Sequence, residues 1–134
     1  MVLIKSPEQE LYDYLFKFAL VNNWNTYDHL PMDNKPEMYP FIVIGDMQVV
    51  PNMTKTSLNG NVIITIDVWG DDEQRLTVSN MVERFFHAAI GTICTEHYRF
   101  YGRANEQSKE LTQDQSVPNA VFNRGQVQLN LNIM

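Results

Sequence analysis

The residues able to do chemistry are few and scattered. Cys94 and His97 stand three apart, a spacing that sets two metal ligands near one another. A metal site needs three or four ligands, and no other Cys or His lies nearby in the chain; His29 and His87 join only if the fold brings them there. Without that convergence Cys94 reads as a small buried hydrophobe and His97 as a polar residue at a strand edge. Glu83 precedes His87 by one helical turn, so a carboxylate can hold an imidazole in the manner of a general base. No nucleophile pattern accompanies it, and a place on the flank of an apolar helix stripe accounts for it. Asp67, Asp71, Asp72 and Glu73 form an acidic cluster, the material of acid–base work or of a divalent-cation site. Capping and the first turn of a helix explain its last three members. The six glycines are isolated, and none builds a phosphate-cradling loop. No serine sits in a nucleophile elbow. The expectation is a protein with no catalytic centre, no metal and no cofactor.

The elements that must position these residues follow from caps and periodicity. Ser6 caps a helix, Pro7 opens it, and Gln9 stands where a capping box wants Glu or Gln. Leu11, Leu15, Phe18 and Ala19 share one face, and Asn22-Asn23 stops the helix, predicted over 7–22. Residues 23–40 hold three prolines and predict an irregular connection. Phe41–Gly45 is a short apolar run that predicts a buried strand, extended past Gly45 by Met47–Val50. Asn59-Gly60 signals a reversal. In residues 61–70, Val62, Ile64, Ile66 and Val68 face a core, and Ile63, Thr65, Asp67 and Trp69 face a mixed side. A second helix is predicted over 72–90, capped by Asp71 with Gln74, its stripe made of Val78, Val82, Phe85, Phe86 and Ala89. A strand is predicted around 97–103, a long polar loop over 104–119, and a strictly alternating strand over 126–133. The order α, β, β, α, β, β predicts one α+β domain over residues 1–134. It would be a two-layer fold with a mostly antiparallel four-stranded sheet and two helices packed on one face.

Composition bounds the rest. A chain of 134 residues with 44% hydrophobic side chains can bury an ordinary core. Sixteen acidic against ten basic residues give a net charge of −6, and no stretch is basic, which argues against a dedicated nucleic-acid binder. The lone cysteine cannot form an internal disulfide. No run is long enough to span a membrane, and the apolar start Met1–Ile4 is too short for a secretory leader, so a cytoplasmic site of synthesis is expected.

The two polar stretches 47–59 and 104–119 are longer than usual connections, and such loops are commonly functional. They supply the interface candidates: Met47, Gln48, Asn52, Met53, Lys55, Thr56 and Asn59 in the first, and Arg103, Gln107 and Lys109 at the second. Methionine adapts readily to contact surfaces.

The run Tyr39-Pro40-Phe41-Ile42-Val43-Ile44-Gly45, a polar loop, and then Gly60–Gly70 with Thr65-Ile66-Asp67-Val68-Trp69 resembles the tail terminator and tail-to-head joining proteins of long-tailed bacteriophages. The resemblance covers about residues 7–134. It implies a virion structural protein that caps the head-proximal end of the tail tube as a six-subunit ring. The ring would stop tube growth and dock the DNA-filled head. The implied partners are further copies of the chain, the tail tube protein and the head completion (stopper) protein, with DNA as transient channel cargo and no membrane. The loop at 47–59 aligns with a variable connection that the family uses between subunits or at the tube surface. The alternative is a head-side neck or connector protein such as the stopper itself. An acidic channel wall would let DNA slide, in keeping with the charge.

Val68 tests the strand assignment. Val68→Asp is expected to abolish folding, because it places an unpaired charge in the core. Circular dichroism and thermal melting read the outcome, and a soluble, cooperatively melting variant would refute the assignment.

Overall fold

In the computed structural model, residues 5–31, 38–51, 60–116 and 120–134 are described, Pro51 by its backbone alone. Helix α1 spans Pro7–Val21. The Ser6 side chain accepts a hydrogen bond from the Gln9 backbone N–H at 3.4 Å, satisfying one of the free donors at the helix start. Leu11, Leu15 and Ala19 bury one stripe. The helix ends as its sequence indicates: Asn22 is its C-cap, and Asn23 takes the left-handed conformation at φ 62°.

The strands are β1 (Asn25–Tyr27), β2 (Phe41–Pro51), β3 (Gly60–Gly70), β4 (Gly91–Cys94), β5 (Arg99–Gly102), β6 (Ser108–Asp114) and β7 (Phe122–Ile133). They form one seven-stranded sheet in the order β1-β2-β3-β7-β5-β4, with β6 also paired to β7. The four-stranded, mostly antiparallel sheet expected from the sequence is therefore corrected to a mixed, seven-stranded one within an α+β fold. β1 runs parallel to β2. The three added strands, β1, β4 and β6, are short or polar. Their ladders come from backbone hydrogen bonds, which leave no apolar alternation in the sequence. β6 occupies much of the stretch expected to be a loop over 104–119, and β1 lies within the connection expected to be irregular.

β2 carries a one-residue irregularity: Ile44 pairs with Ile66, whereas Met47 pairs with Ile64. This is a bulge at Gly45–Asp46, at the glycine past which the strand was expected to extend. Beyond it β2 continues to Pro51. β3 and β7 then pair along ten residues, from Asn61↔Asn132 to Gly70↔Asn123.

β5 and β6 lie end to end along β7. Between them the chain leaves the sheet in a 3-10 turn, Ala104–Glu106. Gln107 fills the gap. Its Oε1 accepts from the Asn130 backbone N–H at 2.7 Å, and its Nε2 donates to the Asn130 carbonyl at 3.0 Å. The buried side-chain amide thus stands in for the missing peptide group of the ladder.

Helix α2 spans Arg75–Ala88, shorter than the 72–90 expected. Asp71 and Gln74 do pair, with Gln74 Oε1 accepting from the Asp71 N–H at 3.0 Å and Asp71 Oδ1 accepting from the Glu73 N–H at 3.0 Å. They close a turn ahead of the helix, so Asp72 and Glu73 stand outside its first turn.

Both helices share one core with the sheet. Ile42 and Ile44 of β2, Val62 to Val68 at alternate positions of β3, and Val127, Leu129 and Leu131 of β7 are buried against Leu11, Leu15, Val78, Val82 and Phe85. Each such side chain contributes roughly 1.5–3 kcal/mol on burial. Two glycines let α2 and its exit approach the sheet closely. A Cβ at Gly125 of β7 would stand 2.4 Å from Val82 Cγ2, and one at Gly102 of β5 would stand 1.7 Å from the Ala89 carbonyl oxygen.

Gly102→Ala is expected to cost about 1–3 kcal/mol, because the clash is with backbone that cannot rotate away. Gly45→Ala, whose Cβ would meet only the Thr65 carbonyl at 3.6 Å, is expected to stay within about 0.5 kcal/mol of the parent. Urea denaturation of the two variants checks the contrast.

Candidate interaction surface

The residues singled out for chemistry separate in space. Cys94 lies at the end of β4 and is exposed, which corrects the buried reading. β4 is an edge strand whose Ile93 points inward, so its neighbour must point out. His97 sits between β4 and β5 and pairs with Glu10 of α1. Glu10 is 6% exposed. Its Oε1 accepts the His97 backbone N–H at 3.0 Å, and its Oε2 lies 2.6 Å from His97 Nδ1. Burial pushes the Glu10 carboxyl upward, but the His97 N–H, the Thr95 hydroxyl and the His97 imidazole outweigh it and hold the pKa at about 2. The pair fastens α1 to the β4–β5 turn.

His87 Nε2 is 3.2 Å from Glu83, as the one-turn spacing indicates. Glu83 is also the partner of Lys109 on β6, whose ammonium lies 4.6 Å from the centre of the Phe86 ring. The cluster links β6 to α2 and brings no nucleophile to His87.

Asp67 parts from the rest of the acidic cluster. On the face of β3 away from the helices, its Oδ1 accepts from Arg124 Nη2 and Gln126 Nε2, both at 3.1 Å. The Arg124 guanidinium lies 5.0 Å from the Trp69 ring centre. Asp71 belongs to the turn before α2. Among the described residues no group of three or more His, Cys, Asp or Glu side chains could hold a metal ion, and no helix is long and apolar enough to cross a membrane.

The interface candidates fall on sheet margins. Met47 and Gln48 stand on β2 beyond its bulge, where the strand extension past Gly45 was expected, and Lys109, expected in a loop, stands on β6. Arg103 and Gln107 flank the 3-10 turn. Arg103 lies 3.6 Å from Glu106, while Gln107 is buried in the ladder and is unavailable to a partner. Asn52, Met53, Lys55, Thr56 and Asn59 lie outside the described residues.

Two exposed margins are the most distinctive surface feature. Residues 46–50 of β2 are all exposed, and they include Met47, Val49 and Val50. β1 pairs only with Phe41–Val43, so among the described residues no strand covers the outer edge of β2 beyond that point. Among the described residues β6 pairs only with β7, and Ser108–Gln113 are exposed, with Leu111 as its apolar member. Sequence reasoning named Val49 and Val50 as strand residues without assigning them a surface, and passed over Leu111. The signal for Leu111 was a lone apolar residue in a polar segment. Strand edges with exposed apolar side chains are templates for pairing with another chain.

The outer face between these margins is mixed. Tyr39, Phe41, Trp69 and Phe122, with Asp114, line a small cleft of about 170 Å³. That is below the usual size of a cofactor site.

No protein-family model matches this chain, and a search of curated proteins finds no match.

Acid tests the Glu10–His97 pair. A carboxyl held at about 2, below its ordinary 4.5, contributes stability that is complete above about pH 4.5 and is lost as the pH falls toward 2. Glu10→Gln should melt at a lower temperature at pH 7 and lose less stability than the parent between pH 4.5 and 2. Parallel slopes of melting temperature against pH would refute the assignment.

Proposed function

We propose that this chain is a virion structural protein of a long-tailed bacteriophage. It closes the head-proximal end of the tail tube as a six-subunit ring, ends tube growth and presents the surface on which the DNA-filled head docks. The observation that carries this reading is the exposed apolar half of β2. Met47 and Val49 on one face and Val50 on the other make this strand end suited to protein contact, and no reactive group of the described residues converges on it.

The two segments that carry the sequence resemblance support the reading by their place in the fold. Phe41–Ile44 and Ile66–Trp69 are neighbouring strands in direct register, Phe41 opposite Trp69 and Ile44 opposite Ile66. The segments that carry the resemblance thus lie within the sheet framework. The margins that such a framework leaves open supply two unlike patches on each copy, as a head-to-tail ring requires. The net charge of −6 suits a channel through which DNA slides without being held.

Phage lacking the gene should produce tails of abnormal length that fail to join filled heads, read by electron microscopy. The purified chain should bind finished tails before heads. Normal tails joined to heads would refute the proposal. Binding to filled heads and not to tails would indicate the head-side stopper instead.

A further inference from the structure

The two free margins of the sheet fit each other. We infer that the β2 edge at residues 46–50 of one copy pairs, antiparallel, with the β6 edge at residues 108–114 of a second copy. The sheet would then run unbroken from subunit to subunit.

Direction is the first reason. β2 is antiparallel to β3, β3 to β7 and β7 to β6, so β2 and β6 point in opposite senses within one copy. They also lie on opposite sides of the β3–β7 centre. A copy added beside β6 in the same orientation therefore presents its β2 as an antiparallel neighbour. Such a contact is heterologous, and repetition of it closes a ring when the rotation per copy allows.

The faces match as well. Met47 and Val49 lie opposite Ile64 and Val62, on the helix side of the sheet. Leu111 lies opposite Gly125, and Lys109 opposite Val127, on the same side. Pairing the edges thus brings Met47 and Val49 of one margin together with Leu111 of the other.

Charge selects the register. With Val49 opposite Leu111, the count along the two strands sets Asp46 against Asp114, and like charges directly opposite are unfavourable. With Met47 opposite Leu111, Asp46 meets Thr112, Gln48 meets Glu110, and Val49 lies along the alkyl stem of Lys109. The Lys109 ammonium is already held by Glu83, so this edge keeps no free lysine to repel a strand. The register with Met47 opposite Leu111 is the one inferred.

Closure into a ring rests on the function proposed above; the edge contact itself does not. The test is disulfide trapping in a Cys94→Ser background, so that the engineered thiols are the sole ones. Directly opposed strand residues have the Cα separation that a disulfide needs. The Met47→Cys, Leu111→Cys double variant, oxidised at high chain concentration, should give a ladder of covalent species beyond the dimer. Met47→Cys and Leu111→Cys single variants should link only when mixed, and then only to dimers. Both positions are exposed, and circular dichroism of each variant checks that it folds. Failure of the double variant to link, or linking of Leu111→Cys with itself, overturns the inference. Rings seen by native mass measurement without this cross-link would retain the ring and remove the edge pairing. A ladder from a chain that does not bind tails would retain the edge pairing and remove the tail role.

Discussion

The structure depends on how closely α2 can lie on the middle of the sheet. Gly125 and Gly102 present bare backbone where the helix and its exit cross, and any Cβ there would run into Val82 or the Ala89 carbonyl. That approach lets Val78, Val82 and Phe85 reach the inner faces of β3 and β7 and exclude water from them. The terms that hold the fold are short-range and packing-dependent, so a single methyl at such a crossing changes the stability of the whole domain.

Two short helices cannot cover seven strands. α1 and α2 shield the centre of one face, and the sheet continues past them on both sides. β1 and β4 trim the margins where they pair, but among the described residues no strand covers the far half of β2 or the outer edge of β6. The chain secures these margins from within. Lys109 is drawn to Glu83 and the Phe86 ring, the Gln107 amide replaces a peptide group beside Asn130, and Glu10 anchors the β4–β5 turn through His97. Each polar side chain so used is spent on structure. Glu10 and His97 are the clearest such fastener, tying α1 to the β4–β5 turn.

As the docking surface proposed above, these margins would act through shape. Their apolar residues lie along strand edges, where backbone hydrogen-bonding groups add directionality that a flat hydrophobic patch lacks. A subunit of a repeating assembly gains from that combination, since edge pairing fixes orientation and register together. In the ring proposed above, the net charge of −6 would keep contact with channel DNA weak.

Local rules were enough for α1, for β3 and for the alternating part of β7. A side-chain cap, a glycine or an asparagine stop, and strict apolar periodicity act within a few residues, so composition along the chain decides them. Local pattern could not decide β1, β4 and β6, which carry little apolar alternation and exist because a neighbouring strand offers backbone partners distant in sequence. For the same reason Cys94 came out exposed, α2 began later than its acidic lead-in indicated, and the candidate Lys109 came out on a strand instead of a loop. Glu10 is the clearest case. Nothing near it in the sequence announces a buried carboxylate, because the groups that stabilise its charge are His97 and Thr95, brought to it by the folding of the entire sheet.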